Sequence, residues 1–401
     1  MRREKRACLW AWGGFLVVLA IALIMAGLNQ SQLFGQGMFD SYTLQALAWR
    51  EGRMDLPKDY PTLELAEYGG RVFVSFPPVP TVPVWILTFF FNDQVPSGLV
   101  AFAYFLLCYP AAYALGRRWF AAPHAAAFAV FILLGGSVLD LGVSAIYFSG
   151  GVWYQAQLLG LLLTLLAFLG ATDARRFRQG LGVAALALAV GCRPFQAVYF
   201  PYFLWLLYMR QSGKPLARIR AMIPYGIAPF CIALAYMGYN MVRFGNPLEF
   251  GHSYLPEFST EGGVQFSLLH IPGNLMNLLR PPYFADMGEL VFPITLGFAV
   301  YLTNPLLTSA AASLHRREPG DEDWFLIGLA TLHLLALLSH RTLGGWQYGS
   351  RYLCDLIPVL LVLRGRSGRA PGVPEYAWMG LAVAFNLWGT HAFHVISQLY
   401  E

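Results

Sequence analysis

The chain has 401 residues, 57% of them hydrophobic and only 12% charged, with a net charge of +5 and a mean hydropathy of +0.51. Soluble domains carry about 25% charged residues, so this composition excludes an ordinary soluble globular protein. It describes an all-α polytopic membrane protein, because apolar runs of about 20 residues recur along its length without the period-two alternation of a porin-like barrel.

In chain order, residues 1–6 are basic, and the apolar run 7–28 reads as an uncleaved first helix with a cytoplasmic N-terminus. A polar stretch over 29–80 follows as a first outer loop. Within it, Phe39, Tyr42, Leu44, Leu47 and Ala48 have helical spacing, and Gly52 can end that helix. Pro77, Pro78, Pro80 and Pro83 stiffen the chain before a short apolar segment, 84–91, that is too short to span and so reads as interfacial. Later apolar runs at 96–116, 121–143, 152–170, 181–191, 195–209, 221–242, 291–314, 324–339, 352–363 and 376–396 bring the expectation to about 11 transmembrane helices. A second long outer loop covers 243–290, and a single transmembrane domain over 1–401 is expected, with no separate soluble domain.

Charge supports this topology. Arg2, Arg3, Lys5, Arg6, Arg117, Arg118, Arg175, Arg176, Arg178, Arg210, Lys214, Arg218, Arg220, Arg316, Arg317, Arg364, Arg366 and Arg369 fall on the expected inner side, as the positive-inside rule requires. Both long loops then face outward. Cys8, Cys108, Cys192, Cys231 and Cys354 are scattered, without the CxxC spacing of a zinc site, and read as small apolar residues. No P-loop or dinucleotide fingerprint occurs, and nothing suggests nucleic acid.

The candidate chemistry gathers at the outer boundary. Asp40, after the turn-prone Gln36-Gly37-Met38, could deprotonate a hydroxyl; taken alone it reads first as an acid favoured at a helix start. Glu64 and Glu67 could join it in holding a divalent cation or an acceptor, or be solvated loop acids. Arg193, Arg243, Arg280, Arg341 and Arg351 lie where basic residues should be depleted, and a set of outer arginines suits a lipid phosphate. Snorkelling, or pairing with Glu249 or Asp355, is the alternative for each one. His340, Tyr348 and Tyr352 flank one short outer turn as substrate-positioning candidates. His391 and His394 share a helix face but lack a third ligand, so no metal site is assigned.

The acid at Phe39-Asp40 with its ALAWREGR helix, the GGRVFVSFPPVP stretch, the turn at GCRP, the YNMVRFGNPLEFGHSY segment and QYGSRYLCDLIP follow one another in an order that resembles the GT-C superfamily of membrane glycosyltransferases. The nearest branch is that of protein O-mannosyltransferases and the lipid A aminoarabinose transferase. The resemblance implies a helical bundle with juxtamembrane helices in two outward loops. It also implies transfer of a sugar from a polyprenyl-phosphate donor to a glycan, lipid or protein acceptor at the outer face of the cytoplasmic membrane. On it, Asp40 is the base of an inverting displacement, and Arg193 and Arg351 best match the donor-phosphate residues. The family's adjacent acidic pair is here Asp40 followed by Ser41. The rival expectation is a non-enzymatic flippase or transporter of a lipid-linked sugar; it calls for polar groups through the membrane depth and is weakened by the lack of a visible inverted repeat.

Overall fold

Helix dominates because long Leu-, Ala- and Phe-rich runs must satisfy every backbone N–H and C=O internally once water is removed. The computed structural model describes residues 2–31, 33–35, 37, 39–259, 264–284, 290–293, 295–315 and 318–398. Arg316 and Arg317 of the expected inner charge set, and Gln36 and Met38 of the turn before Asp40, lie outside the described residues. By contact the chain divides into two units, one of residues 1–31, 102–147 and 266–401, the other of 32–101 and 148–265.

The elements in order are α1 (Arg2–Leu28), α2 (Ser41–Arg50), β1 (Leu65–Tyr68), β2 (Arg71–Val74), α3 (Thr81–Phe91), α4 (Ser97–Gly116), α5 (Ala122–Leu134), α6 (Ser137–Tyr147), α7 (Val152–Ala171), α8 (Arg176–Val190), α9 (Phe200–Met209) and α10 (Pro215–Phe244). They continue as α11 (Pro256–Ser259), α12 (His270–Leu279), β3 (Tyr283–Phe284), β4 (Leu290–Val291), α13 (Val300–Thr303), α14 (Pro305–His315), α15 (Asp321–Leu338), α16 (Ile357–Arg366) and α17 (Val373–Gln398).

Among the described residues, four helices are long and apolar enough to cross a membrane: α1 from Glu4, α4, α7 and α10. A fifth span results if α5 and α6, bent by 54°, are taken as one. This is a multi-pass membrane protein, but several of the expected spans are not single helices. The run at 195–209 is a 3-10 turn, Pro194–Tyr199, followed by the ten-residue α9. The run at 352–363 is likewise a 3-10 turn, Arg351–Leu356, leading into α16. Proline is the common cause: Pro194, Pro201 and Pro358 each sit in the first turn of a new helical segment, where the missing N–H costs nothing. Hydropathy averages over such breaks and does not see them.

In the first unit α1 packs on α5 and α6, α17 on α5, α6 and α13, and α16 on α14 and α15. Buried polar groups pin these contacts. Asn386 of α17 donates to the carbonyls of Gly135, Leu302 and Ala382 at 2.7–3.0 Å. Arg364, 2% exposed, holds both Glu375 oxygens at 2.8 Å. In the second unit α8 packs along α7 and under α10, while α2 lies on α3. The expected loop helix is found as α2, and the short apolar segment expected at the interface is helical, as α3, with Val82, Ile86, Phe89 and Phe90 exposed. The antiparallel hairpin β1–β2 pairs Leu65 with Val74 and Glu67 with Val72.

Candidate functional site

Asp40 caps α2. Its Oδ1 accepts the Thr43 backbone N–H at 3.1 Å and its Oδ2 accepts the Thr43 hydroxyl, so the helix-start role expected from sequence is real. A second set of contacts exceeds what a cap needs. Gln155, in the first turn of α7, donates from Nε2 to Asp40 Oδ1 at 3.3 Å and to Gly150 O at 2.5 Å. Ser97, at the start of α4, sits 3.1 Å from Thr43 Oγ1 and also faces the carboxylate. This approach depends on Gly150, at φ +87°: a Cβ there would collide with Ser97. Three helix N-termini therefore converge on one carboxyl.

Asp40 is half-buried. Burial pushes its carboxyl above the usual aspartate range, against the lowering pull of the Ser97, Thr43 and Gln155 hydrogen bonds. Two wholly buried polar atoms close by have no hydrogen-bond partner: Gln155 Oε1 and the hydroxyl of Tyr42, in the first turn of α2. Each such atom costs about 1–3 kcal/mol. Burial, and then the neighbouring Cys192 and Tyr239, raise the Tyr42 phenol well above its ordinary value, while Arg193 works the other way.

Arg193 reaches this neighbourhood because position 160 is glycine; a Cβ there would lie 2.9 Å from the arginine Cγ, so its stem runs against α7. On the other flank, Phe39 packs on Trp153 at 5.7 Å between ring centroids, and Trp153 Nε1 donates to Glu64 Oε2 at 3.1 Å. Glu64 is exposed, as is Glu67 on β1. His252, from the segment after α10, meets Phe76 edge-on at 5.8 Å. Desolvation lowers its pKa, Glu64 opposes this, and Arg193 adds to the lowering. Asp40, Arg193, Glu64, His252, Tyr42 and Trp153 thus share one region of the second unit.

Sequence reasoning missed His252, Trp153, Thr43 and Gln155. His252 stood in the loop segment that drew attention; Gln155 gave no signal, since the glutamines at 155 and 157 of an apolar helix form no motif.

Arg243 has a different job. It is 3% exposed, its Nη2 donates to Val74 O, and its guanidinium lies 4.4 Å from the Phe244 ring centroid and 4.5 Å from that of Tyr239. It ties the β1–β2 hairpin to the end of α10.

The remaining sequence candidates lie in the first unit. Arg351 is 8% exposed, donates from Nη2 to Gly344 O at 2.7 Å and stacks at 5.2 Å on Tyr352. His340 is buried beside Tyr352, with Nδ1 accepting the Thr342 N–H at 3.2 Å, and Tyr348 is wholly buried with its hydroxyl on Phe385 O at 3.2 Å. Arg280 and Arg341 are exposed. His394 is packed, as expected, with Nδ1 2.7 Å from Thr390 O. Among the described residues no group of three or more His, Cys, Asp or Glu side chains is arranged to hold a metal ion.

No protein-family model and no curated protein matches the chain by sequence. Solved structures do match its fold. ArnT, the lipid A aminoarabinose transferase of Cupriavidus metallidurans, solved with undecaprenyl phosphate bound, superposes with a TM-score of 0.51 at 15% identity over 88% of this chain and 60% of its own. The Archaeoglobus fulgidus oligosaccharyltransferase in its apo form gives 0.54 at 11% identity, over 96% of this chain and 55% of its own. The same organism's AglB, in complex with an inhibitory peptide and a dolichol phosphate, gives 0.52 at 13% identity with the same coverage. At these identities the matches show a shared fold, and the first of them is of the transferase branch that the sequence resembles. The chain spans 55–60% of the length of these proteins.

Proposed function

We propose that this chain is a membrane glycosyltransferase that moves a sugar from a polyprenyl-phosphate carrier to an acceptor at the outer face of the membrane. The observation that carries the reading is Asp40: a half-buried carboxyl with raised proton affinity, held by three helix N-termini and flanked by buried polar atoms without partners. A base near its operating pH needs this elevation. The acceptor hydroxyl gives its proton to Asp40 as its oxygen attacks the anomeric carbon. The bond from that carbon to the phosphate oxygen breaks, its electron pair goes to the phosphate, and polyprenyl phosphate departs. Arg193 is the phosphate-facing cation of this region, because its planar fork suits phosphate oxygens. Glu64 and Trp153 offer a carboxylate and an indole face to sugar hydroxyls. Arg280 and Arg341, both exposed, remain candidates for the carrier phosphate, whereas Arg243 and Arg351 are engaged with backbone carbonyls.

The test is transfer by the full chain in liposomes loaded with undecaprenyl-phosphate-linked sugars. Asp40→Asn should lower the rate by about 10²–10⁴; full activity in that variant would overturn Asp40 as the base, and no transfer by the parent chain would overturn the reading.

One observation favours the second reading, a flippase for a lipid-linked sugar. Asp140, Ser144 and His394 form a buried polar chain in the first unit, with Ser144 Oγ 3.2 Å from both Asp140 Oδ1 and His394 Nε2. A flippase would move a fluorescent undecaprenyl-phosphate sugar across liposomes with Asp40→Asn as well as with the parent chain.

A further inference from the structure

We propose that Gln155 is a positioning residue that holds Asp40 as an oriented carboxylate, through the two hydrogen bonds its side-chain amide makes to Gly150 O and Asp40 Oδ1. The inference rests on the reading of Asp40 as the base.

The geometry fixes the amide. Both partners are acceptors only, one a carbonyl and the other a carboxylate, so the NH₂ group must face them at 2.5 and 3.3 Å. Rotating the amide by half a turn would set Oε1 against two oxygens. Its correct orientation leaves Oε1 buried without a partner, and the residue as a whole is 0% exposed. A core position that only filled space would be served better by leucine, which buries no orphan oxygen. The unsatisfied atom is therefore the cost of putting an N–H donor on Asp40.

The bond is stronger to the carboxylate form. Once Asp40 takes up a proton it becomes a poorer acceptor, so Gln155 stabilises the state that can act as a base. It also joins the carboxyl to the Gly150 turn and so sets which oxygen is engaged. The groups packed against Asp40 are Tyr42 and Thr43 from α2, Ser97 from α4 and Gln155 from α7, with Arg193 facing Tyr42 from the turn after α8. Tyr42 and Arg193 are the titratable or charged ones among these.

Infrared titration of the whole protein in lipid nanodiscs tests this without any substrate. Subtracting the Asp40→Asn spectrum isolates the protonated-carboxyl band of Asp40, and its midpoint is read against pH. Repeating the pair in a Gln155→Leu background should move the midpoint up by roughly half to one pH unit. In a transfer assay the acidic limb of the pH profile should move by the same amount. Gln155→Met, which keeps the length, and Gln155→Asn, which keeps the amide but is one methylene too short to bridge, should shift it in the same direction. An unchanged midpoint in the folded variants would overturn the proposal. Loss of the fold in all three would also overturn it, in favour of a purely structural clamp. Asp40→Asn with full transfer and a shifted midpoint would sink the reading of Asp40 as the base and leave the Gln155–Asp40 coupling standing.

Discussion

Two polar clusters, one in each unit, show opposite economies. Around Arg364 every guanidinium nitrogen is matched: Nε and Nη2 donate to Glu375, Nη1 donates to Ser367 Oγ and Arg369 O at 2.9 Å, and the rings of Phe120 and Phe128 each lie 5.3 Å away. Around Asp40 the carboxyl is held, yet Gln155 Oε1 and the Tyr42 hydroxyl are left without partners. A buried network with all its bonds made spends its interactions on the fold. One with vacancies beside a half-buried acid keeps a cost that folding alone does not explain. The first cluster is read as a lock, the second as a place for chemistry.

The comparison breaks most visibly at Asp40 itself. Asp40→Asn should cut transfer by about 10²–10⁴ while leaving the thermal midpoint the same or slightly higher. Asparagine caps a helix as well as aspartate does. Because the folded-state pKa of Asp40 is raised, the folded chain binds its proton more tightly than the unfolded one, so stability from this group is present at low pH and lost as pH rises through that raised value. Removing the charge removes that loss. A large fall in melting temperature would make Asp40 a structural cap only.

Arg364→Met should do the reverse. Leaving Glu375 without its partner should cost about 3–5 kcal/mol in denaturant unfolding, and the molecules that remain folded should keep their kcat. Next in size, Arg193→Ala should weaken binding of undecaprenyl phosphate by about 10- to 100-fold, the worth of a charge-assisted bond. Transfer should also fail on acidification at a pH above the ordinary aspartate range, since the base must be a carboxylate and burial raises its pKa. A profile flat down to pH 4 would contradict that elevation. Smallest of all, Glu67→Gln and Arg280→Ala, both at exposed positions, should change stability by no more than about 0.5 kcal/mol.

The membrane class, the α2 helix after Asp40 and the superfamily resemblance were legible in the sequence, because composition and helical spacing are local properties. So was the double aspect of Asp40 as cap and candidate base. The five arginines expected on the outer side, alike in sequence, are not alike in the fold: Arg243 pins a hairpin and Arg351 binds Gly344 O, while Arg193 lies near Tyr42 and His252. No count of charges near helix ends could separate them, because a guanidinium's role depends on which carbonyls lie within 3 Å of it. Span number fell short for a related reason. Runs such as 195–209 are apolar enough, but a proline at the start of each segment restarts the helix.

By itself the sequence determined that the chain lives in a membrane as helices and that an acid stands at the head of its first loop helix, since burial preference and N-capping act within a few residues. Only the tertiary structure decided that Gln155 and Ser97, distant in sequence, close on that acid, and that Arg193 shares its region. Those contacts form between helices whose packing is set by a whole unit, and elevated proton affinity is a property of the enclosure they make.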